Sequence, residues 1–478
     1  MAGSRGRLLD VPLLRVARLS AAMLFVLLTH ITLLQSIGPP TLNADRRNER
    51  PLLARYGHPR GAILSYDGTP LAVSRPSGAG PYRYRRLYPQ GEPYAAVTGY
   101  TALHRATGIE HAQDAVLSGA DPKVRLRSLV QRGTIEGADV RLTISDRVQR
   151  AAHQGLRSAG LPGAVVALDP ATGAVRALAT YPTYDPNALA TFDRGRLAET
   201  ARRLRQEPAQ PLLNRALNQV YPPGSTFKLV TAAAALASGE YSPSAPVEAP
   251  ARLRLPGAPA YVEGRCAESG RPTLAYAFQA SCDTAFATIG LRLGQDPLRD
   301  QAEAFGFNAG NLRIPLPATP SRYPLTADRS QTALAAIGHH ENRVTPLMVA
   351  MMSAAVANDG VLMRPYLVEE VRLPDGSVIN RADPAPYRRA VSPGLARSLA
   401  AMMTSASSPG GTAAGSPGVR MASKTAADEG EPADHALVTA FAPAQTPEVA
   451  VGVVLERPGD RADAVAVIAR AVIEAALG

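Results

Sequence analysis

The stretch YPPGSTFKLV, residues 221–230, places a serine three residues before a lysine, directly after two prolines and a glycine. The prolines end any preceding regular structure, and the apolar run VTAAAALA at residues 230–237 predicts that a buried helix follows. Ser225 and Lys228 therefore share one face of the first helical turn, because positions three apart on a helix are neighbours. The serine is either a helix cap beside a solvated lysine or a nucleophile beside its general base.

Lysine is scarce in this chain. Of the 51 Lys+Arg among 478 residues, the lysines stand only at Lys123, Lys228 and Lys424, which leaves 48 arginines. Arginine stays charged under almost all conditions, whereas a lysine can lose its proton when its surroundings disfavour the charge. With so few lysines, a given serine has one at this spacing by chance in roughly one case in 160.

The surroundings of Ser225 favour the reactive interpretation. The first turn of a helix carries partial positive charge and unpaired N–H groups, which stabilise an alkoxide or an oxyanion nearby. Burial against apolar walls disfavours the charged form of a lysine, so Lys228 is a candidate general base.

The composition limits the class of protein. The length exceeds one average domain, and 46% hydrophobic residues exclude a disordered chain. The net charge of +11 comes from scattered arginines with no aromatic-basic module and no Trp, so we expect no nucleic-acid partner. The two cysteines, Cys266 and Cys282, are either a disulfide or two buried thiols, and no His or Cys pair has the spacing of a metal site.

The N-terminus predicts a membrane anchor. Residues Leu19–Ile37 carry no charged side chain, and about 20 helical residues at 1.5 Å each cross a bilayer core of about 30 Å. Arginines lie on both sides of this run, so the charge asymmetry alone leaves the orientation open. A cleaved signal peptide is the alternative, but no small-x-small cleavage site follows the run, which favours an uncleaved helix.

Two regions with different patterns follow the anchor. In the first, RGAILSYDGTPLAVS at residues 60–74 predicts a hairpin, and residues 137–156 predict a strand followed by a helix capped at Ser145-Asp146. The second region begins with another hairpin at residues 163–179. It continues with three helices (Thr226–Ser238, Leu274–Leu293 and Thr345–Asn358) and a flexible loop (Ser405–Gly418). Three strands (Val419–Thr425, Ala436–Phe441 and Val449–Leu455) and a closing helix (Asp463–Leu477) follow. Strands at both ends with helices between them indicate an α+β fold around an antiparallel sheet.

Two further clusters have reactive side chains. Lys424 ends the strand predicted at residues 419–425, where it is either a solvated edge charge or a group facing a cleft. Between the two lysines, AYAFQASCDTAFATIG at residues 275–290 places Ser281 and Asp283 on a loop between helical runs. A helix cap is the alternative role for Ser281.

In this order and spacing, Ser225-x-x-Lys228, Ser281-x-Asp283 and Lys424-Thr425-Ala426 resemble the three motifs of serine D,D-transpeptidases, specifically class B penicillin-binding proteins. The likeness extends over nearly the whole chain. It includes the pieces RGAIL, YPQG, GIE, LTI, the DP-x-TG hairpin, NRALNQVYPPGSTFK, TPLMVAMMSAAVANDG and TAFAP.

The resemblance implies an architecture of three parts. Residues 1–40 would be a cytoplasmic tail and single transmembrane anchor, and residues 41–155 a β-rich pedestal or dimerisation domain. Residues 156–478 would be a transpeptidase domain, an antiparallel sheet flanked by helices, facing the cell wall. No cofactor is implied.

The resemblance also implies a mechanism. Ser225 would attack the penultimate D-alanine carbonyl of a peptidoglycan stem peptide, with Lys228 taking its proton. Ser281 would relay protons, while Lys424 and Thr425 would hold the terminal carboxylate. β-Lactams would acylate the same serine because they mimic the D-Ala-D-Ala end.

Three positions depart from the family's motifs. The second motif usually ends in asparagine, but here it ends in Asp283, which cannot donate a hydrogen bond when ionised and would favour a charged Lys228. Ala426 replaces the usual glycine, so an extra methyl would crowd the cleft, and Ala427 replaces the usual threonine, which removes a carboxylate contact. The backbone N–H groups of Ser225 and Ala427 would still form the oxyanion hole, because they do not depend on a side chain.

Three functions remain in competition. The retained Ser225 and both lysines favour an active, though altered, transpeptidase over a silent relative that acts as a wall-synthesis scaffold. A β-lactam sensor or hydrolase is the third, and the pedestal region argues against a simple hydrolase. No glycan-polymerising region is evident, so the resemblance implies a membrane-embedded glycan polymerase and other wall-synthesis proteins as partners.

Overall fold

The computed structural model describes residues 7–36, 50–78, 81–132, 136–264, 266, 270–310, 312–406, 419–427 and 435–478. The α-helices of these residues are α1 (Arg7–Ser36), α2 (Arg50–Gly57), α3 (Ala95–Thr98), α4 (Gly108–Ala112), α5 (Asp114–Leu117), α6 (Pro122–Arg132), α7 (Asp146–Ala159), α8 (Arg194–Gln206), α9 (Arg215–Asn218), α10 (Lys228–Ala237), α11 (Leu274–Gln279), α12 (Asp283–Leu293), α13 (Gln295–Ala304), α14 (Arg329–Ala336), α15 (Pro346–Ala357), α16 (Pro393–Ala406) and α17 (Ala464–Leu477).

The strands of the same residues are β1 (Ile63–Leu64), β2 (Pro70–Pro76), β3 (Tyr84–Leu87), β4 (Thr101–Ala102), β5 (Arg105–Ala106), β6 (Asp139–Leu142), β7 (Gly163–Leu168), β8 (Val175–Tyr181), β9 (Arg252–Arg254), β10 (Tyr261–Glu263), β11 (Val361–Met363), β12 (Val368–Arg372), β13 (Val378–Arg381), β14 (Pro386–Arg389), β15 (Ala422–Ala427), β16 (His435–Ala442) and β17 (Val449–Glu456). Most of the flexible loop predicted at Ser405–Gly418 lies outside the described residues, since α16 ends at Ala406.

The chain divides into two compact units. The first comprises residues 1–58 and 77–84, and the second comprises residues 59–76 and 85–478. The first unit contains α1, whose segment Leu13–Thr32 is long and apolar enough to cross a membrane. This confirms the predicted apolar helix, although the last predicted residue, Ile37, lies outside the described part of the chain.

A five-stranded sheet forms the centre of the second unit. Its strand order is β15-β16-β17-β7-β8, and every neighbouring pair is antiparallel. The first hairpin of the region thus pairs with the last strands of the chain, as the sequence pattern predicts. The continuous apolar character of β7, β16 and β17 follows from burial of both faces of the sheet.

Helices cover both faces of this sheet. Helices α7 and α17 pack on one face, where Leu156 and Val472 belong to the same buried cluster as Val453. Helix α15 lies against the other face so closely that a Cβ on Gly452 would stand 2.5 Å from the backbone nitrogen of Ala350. Glycine is therefore required at this point of β17 for α15 to seat.

The sheet register decides which face holds the third-motif lysine. Lys424 pairs with Thr439, which pairs with Gly452. Residues directly opposite each other in an antiparallel sheet project to the same face. Lys424 therefore projects to the face covered by α15, and Thr439 Oγ1 donates to the Val349 carbonyl of that helix at 2.6 Å.

A six-stranded sheet has the order β13-β12-β6-β1-β2-β3. The hairpin predicted at residues 60–74 is confirmed as β1 and β2, and β6 lies parallel to β1. Strands β12 and β13 come from residues 368–381, so this sheet joins strands from both regions that the sequence separates at residue 155. The mixed α+β architecture with a β-rich pedestal agrees with the prediction.

A buried ion-pair cluster stabilises the region of the six-stranded sheet. Glu110 is fully buried and pairs with Arg60 at 3.0 Å and with Arg86. Burial alone would raise the pKa of Glu110, but the charges of Arg86 and Arg60 outweigh it, and the pKa is lowered. Removing one member of such a cluster leaves uncompensated buried charge.

We expect Glu110→Gln to lower the free energy of unfolding by about 3–5 kcal/mol, because buried Arg86 loses its ion-pair partner and Arg60 keeps only its pair with Asp114. The control is Glu263→Gln, whose pair with Arg252 is 76% and 61% exposed, so its loss is about 1 kcal/mol or less. Urea unfolding followed by circular dichroism measures both, since the chain has no Trp. Equal shifts in the two variants would contradict the assigned importance of the cluster.

The same variant has a predicted pH dependence. A lowered pKa in the folded state means that Glu110 contributes stability above its unfolded value of 4.5 and loses it as the pH falls. The difference in unfolding free energy between wild type and Glu110→Gln should therefore shrink below about pH 4.5. If the difference in unfolding free energy stays constant on acidification, the Glu110 carboxylate is not the group whose titration changes the stability.

Candidate active site

The serine of the opening stretch lies in a tight 3₁₀ turn, Gly224–Phe227, that runs directly into α10. Gly224 adopts a positive φ of 49°, which places the chain reversal immediately before Ser225. The turn has no side-chain cap, so the interpretation of Ser225 as a helix cap is wrong. Its hydroxyl instead contacts two other polar side chains.

Lys228 is completely buried at the first position of α10. Its Nζ donates to Ser225 Oγ at 2.8 Å and to Ser281 Oγ at 3.0 Å. Ser281 Oγ in turn donates to Ser225 Oγ at 2.9 Å, which closes a triangle of hydrogen bonds. The solvated lysine of the alternative interpretation is therefore excluded.

Ser281 lies at a sharp break in the helical run predicted for Leu274–Leu293. Helix α11 ends at Gln279 and α12 begins at Asp283. Ser281 has a positive φ of 56°, which is uncommon for a residue with a side chain. Its carbonyl accepts a 2.7 Å hydrogen bond from Lys228 Nζ, so the strained turn presents both serine oxygens to the lysine.

Asp283 is the first residue of α12 and not a loop residue, which corrects that part of the prediction. Its Oδ1 forms an ion pair with Lys228 Nζ. The acidic replacement in the second motif therefore acts directly on the lysine beside the serine. The carboxylate also sits in the first turn of a helix, where negative charge is favourable.

A disulfide joins the second motif to a neighbouring segment. Cys282, between the two motif residues, is bonded to Cys266, with 5.6 Å between the Cα atoms. The sequence left a disulfide and two free thiols as equal alternatives, and the structure has the disulfide. Cys282 is buried at the start of α12.

Lys424 lies within β15, the edge strand of the five-stranded sheet, and is 3% exposed. Its Nζ donates to the Phe278 carbonyl at 2.8 Å and lies 4.9 Å from the centre of that aromatic ring. The pKa of Lys424 is lowered well below its usual value, first by burial and then by the nearby charge of Lys228. A solvated edge charge is therefore wrong for this residue.

The other third-motif residues continue along the same strand. Thr425 is half-buried, and Ala426 is buried with its methyl facing Gly224, on which an added Cβ would stand 3.3 Å away. Ala427 is the last residue of β15 and pairs with Ala436. The strand thus lies against the 3₁₀ turn that carries Ser225.

One residue behind the turn is not evident from the sequence. Gly338 has a positive φ of 85°, and a Cβ there would stand 2.1 Å from the Gly224 carbonyl oxygen. Gly224 N donates to the Gly338 carbonyl at 3.2 Å. The two glycines are 114 positions apart in the chain, so no local sequence pattern predicts that their backbones are in contact.

Within the described ranges, no three His, Cys, Asp or Glu side chains are grouped as they would be around a metal ion. The site brings together two hydroxyls, two amines and one carboxylate, supplied by Ser225, Ser281, Lys228, Lys424 and Asp283. A serine in contact with a buried amine is the arrangement expected of a nucleophile and its base.

Comparison with known proteins identifies the family. Residues 163–474 match the family described as the penicillin binding protein transpeptidase domain, and residues 60–140 match the penicillin binding protein A dimerisation domain. Peptidoglycan D,D-transpeptidase PbpA of Mycolicibacterium smegmatis is 39% identical over 98% of this chain and 99% of its own length. The protein of the same name from Mycobacterium tuberculosis is 38% identical over the same shares.

Solved structures give the same assignment. The imipenem acyl-enzyme complex of penicillin-binding protein A from M. tuberculosis superposes with a TM-score of 0.85 at 39% identity, covering 89% of this chain and all of that one. Penicillin-binding protein 2 of Pseudomonas aeruginosa gives a TM-score of 0.73 at 28% identity, over 87% and 96% of the two chains. The chain belongs to the penicillin-binding protein transpeptidases, in their class B group.

Proposed function

We propose that the chain is a peptidoglycan D,D-transpeptidase that cross-links stem peptides through an acyl-enzyme on Ser225. The observation that carries the proposal is the triangle of Ser225, Lys228 and Ser281, in which each hydroxyl is within hydrogen-bond reach of the buried amine. The related proteins named peptidoglycan D,D-transpeptidase and the acyl-enzyme complexes of the M. tuberculosis protein support the same reaction.

The first half-reaction forms the acyl-enzyme. Ser225 Oγ attacks the carbonyl of the penultimate D-alanine while neutral Lys228 takes the hydroxyl proton. The bond to the terminal D-alanine nitrogen then breaks, and that nitrogen leaves as an amine after receiving a proton through Ser281. Ser281 suits this relay because its hydroxyl contacts both Ser225 and Lys228.

The second half-reaction forms the cross-link. An amine of a neighbouring stem peptide attacks the acyl carbonyl, gives up its proton through the same groups and receives the acyl chain, which restores Ser225. The backbone N–H groups of Ser225 and Ala427 would stabilise the oxyanion in both steps. The 3₁₀ turn supports this role for Ser225, because the first N–H groups of a helical turn have no partner within it and the one before Ser225, Gly224 N–H, donates to the Gly338 carbonyl.

Lys424 and Thr425 would hold the carboxylate of the terminal D-alanine. Burial and the charge of Lys228 lower the pKa of Lys424, and an incoming carboxylate would oppose both effects. A bound substrate therefore favours the charged form of Lys424 at the moment that form is needed. β-Lactams, which mimic the D-Ala-D-Ala end, would acylate Ser225 by the same route.

The apolar helix α1 supports a position of the protein in the cytoplasmic membrane. A single membrane-spanning pass over Leu13–Thr32 would hold the protein in the cytoplasmic membrane, with the transpeptidase region outside. Residues 1–40, 41–155 and 156–478 would then be the anchor, pedestal and transpeptidase domains. A membrane-embedded glycan polymerase and other wall-synthesis proteins would be its partners, because the reaction needs newly polymerised strands.

The proposal predicts that full-length protein in detergent is covalently labelled by a fluorescent penicillin, and that Ser225→Ala carries no label because the variant lacks the hydroxyl oxygen that forms the acyl ester. Ser238→Ala, at the far end of α10, is the matched control and should label like wild type. Gel fluorescence measures the label. A folded wild type that stays unlabelled at high probe concentration would instead favour the silent scaffold, and turnover of a chromogenic β-lactam would favour a hydrolase.

The Asp283–Lys228 ion pair predicts the sign of a second variant. Asp283→Asn should accelerate acylation about tenfold, which corresponds to 1.4 kcal/mol, since the neutral amine is easier to form and the amide can donate to substrate. Stopped-flow acylation by penicillin measures the rate. Asp296→Asn removes an exposed carboxylate elsewhere and should leave it unchanged. A rate that is unchanged or slower in Asp283→Asn would refute the inhibitory role of the carboxylate.

The contact between Gly338 and Gly224 predicts a third result. Gly338→Ala should slow acylation about 100-fold, because the added methyl displaces the turn that aims Ser225. Gly394→Ala, where an added Cβ meets nothing within 4 Å, is the matched control. Circular dichroism establishes that each variant is folded. A wild-type acylation rate in folded Gly338→Ala would mean that the contact with Gly338 does not position the turn that carries Ser225.

A further inference from the structure

A carboxylate at the end of the five-stranded sheet contacts the segment that leads into the turn of Ser225. Glu456 is the last residue of β17, and its Oε1 accepts hydrogen bonds from Tyr221 Oη at 2.9 Å and from Arg215 Nε at 3.0 Å. Tyr221 is 0% exposed, and the Glu456 side chain is 17% exposed. None of these three side chains takes part in the steps of the proposed acyl transfer. They join the sheet to the chain just before the nucleophile.

The backbone before Ser225 is held at two points. Tyr221 and Val344 exchange both of their backbone hydrogen bonds, each at 2.8 Å. Gly224 N donates to the Gly338 carbonyl at 3.2 Å. The two residues between Tyr221 and Gly224 are prolines, whose rings fix the φ angles. A displacement of Tyr221 is therefore passed along a stiff segment to Ser225.

The sheet register places Glu456 near the other end of the same problem, the strand that carries Ala427. Leu455, the neighbour of Glu456 in β17, pairs with Ala436 of β16. Ala436 in turn pairs with Ala427 of β15. Because neighbouring strands lie about 4.8 Å apart, Ala427 is about 10 Å from Leu455 across the sheet. Glu456 thus belongs to the end of the sheet at which β15 ends.

We infer that Glu456 is a positioning residue for the oxyanion hole and acts through Tyr221. The inference rests on the proposed acyl transfer, in which the N–H groups of Ser225 and Ala427 bind the oxyanion. These two donors belong to different elements, the 3₁₀ turn and strand β15. They stabilise an oxyanion only when both lie within hydrogen-bond distance of it. The contact between Tyr221 and Glu456 joins the turn to the sheet and so sets the distance between the two donors.

Arg215 holds the Glu456 carboxylate in place. Besides the bond from Nε, its Nη1 donates to the Gln210 carbonyl at 3.1 Å and its Nη2 to the Ala209 carbonyl at 2.8 Å. Arg215 is 3% exposed, and a buried guanidinium needs such a charged partner. Burial and the charge of Glu456 raise the pKa of Tyr221, so its hydroxyl remains protonated and donates to the carboxylate.

Stopped-flow acylation of the full-length protein in detergent by penicillin tests the inference with Tyr221→Phe. This variant keeps the buried ring and removes the hydroxyl, so the turn loses its bond to Glu456. We expect the acylation rate constant to fall about tenfold, because a displaced donor stabilises the oxyanion less. The control is Tyr94→Phe, which removes the hydrogen bond of another buried tyrosine to a carboxylate, that of Asp146, and should acylate at the wild-type rate.

Two binding measurements separate the position of the oxyanion donors from a general loss of stability. A boronic acid forms a tetrahedral adduct with the serine oxygen and so resembles the oxyanion, and its affinity should fall about tenfold in Tyr221→Phe. The dissociation constant of the non-covalent penicillin complex, taken from the concentration dependence of the acylation rate, should stay unchanged. That complex contains no oxyanion, so it does not depend on the distance between the donors.

Two variants of Glu456 test the same contact from the other side. Glu456→Gln keeps an acceptor oxygen for the Tyr221 hydroxyl and should acylate within about threefold of the wild-type rate. Glu456→Ala removes the acceptor and should be slowed about as much as Tyr221→Phe. Circular dichroism establishes that each variant is folded.

Three results would overturn the inference. These are a wild-type acylation rate in Tyr221→Phe, equal losses in Tyr221→Phe and Tyr94→Phe, and a Glu456→Gln variant as slow as Glu456→Ala. Equal losses would indicate a general effect of stability, and a slow Glu456→Gln would make the charge opposite Arg215 the important feature. A folded wild type that penicillin does not acylate would contradict the proposed function itself, and the inference with it.

Discussion

The active site depends on where the charge of Lys228 is placed. A buried ammonium costs several kcal/mol unless its donors are paired. Lys228 is 0% exposed, and its partners are Ser225 Oγ, both oxygens of Ser281 and the Asp283 carboxylate. Each partner comes from a different local structure: a 3₁₀ turn, a residue at positive φ and the first turn of a helix. Pairing the ammonium group of Lys228 with these oxygens therefore fixes the positions of the three backbone segments relative to each other.

The sequence predicted the parts of this arrangement that are local or strongly patterned. Ser225 and Lys228 are neighbours because they are three positions apart, and the apolar strands β7, β16 and β17 follow from burial on both faces. The break between α11 and α12 was predicted only as a loop around Ser281 and Asp283, because residues 279–283 contain neither glycine nor proline to mark where each helix ends. Its causes are the contacts of Ser281 with Lys228 and the Cys266–Cys282 bond. Such contacts, like that of Gly338 with Gly224, join residues too distant for a sequence pattern to reveal.

Asp283 changes the balance of charge at the resting site. With asparagine, the usual residue of this motif, the buried ammonium would have only neutral oxygens as partners. The carboxylate gives it a full counter-charge, which stabilises the resting site but favours the protonated lysine over the free base. Ala426 has no comparable effect on charge, since its methyl is buried against Gly224. Of the altered positions, the acidic one therefore has the more direct influence on the chemistry of Ser225.

The six-stranded sheet limits how far the parts of the chain that contribute β6 and β12 can move independently. Strand β6 of the first region pairs with β12 of the second, and Thr143 Oγ1 donates to the Val175 carbonyl of β8 at 2.7 Å. Moving one region against the other would break these backbone and side-chain hydrogen bonds together. A paired strand resists such motion more than a flexible linker does, because each lost ladder bond exposes a donor and an acceptor. Strands β6 and β12 thus belong to the same compact unit, which comprises residues 59–76 and 85–478.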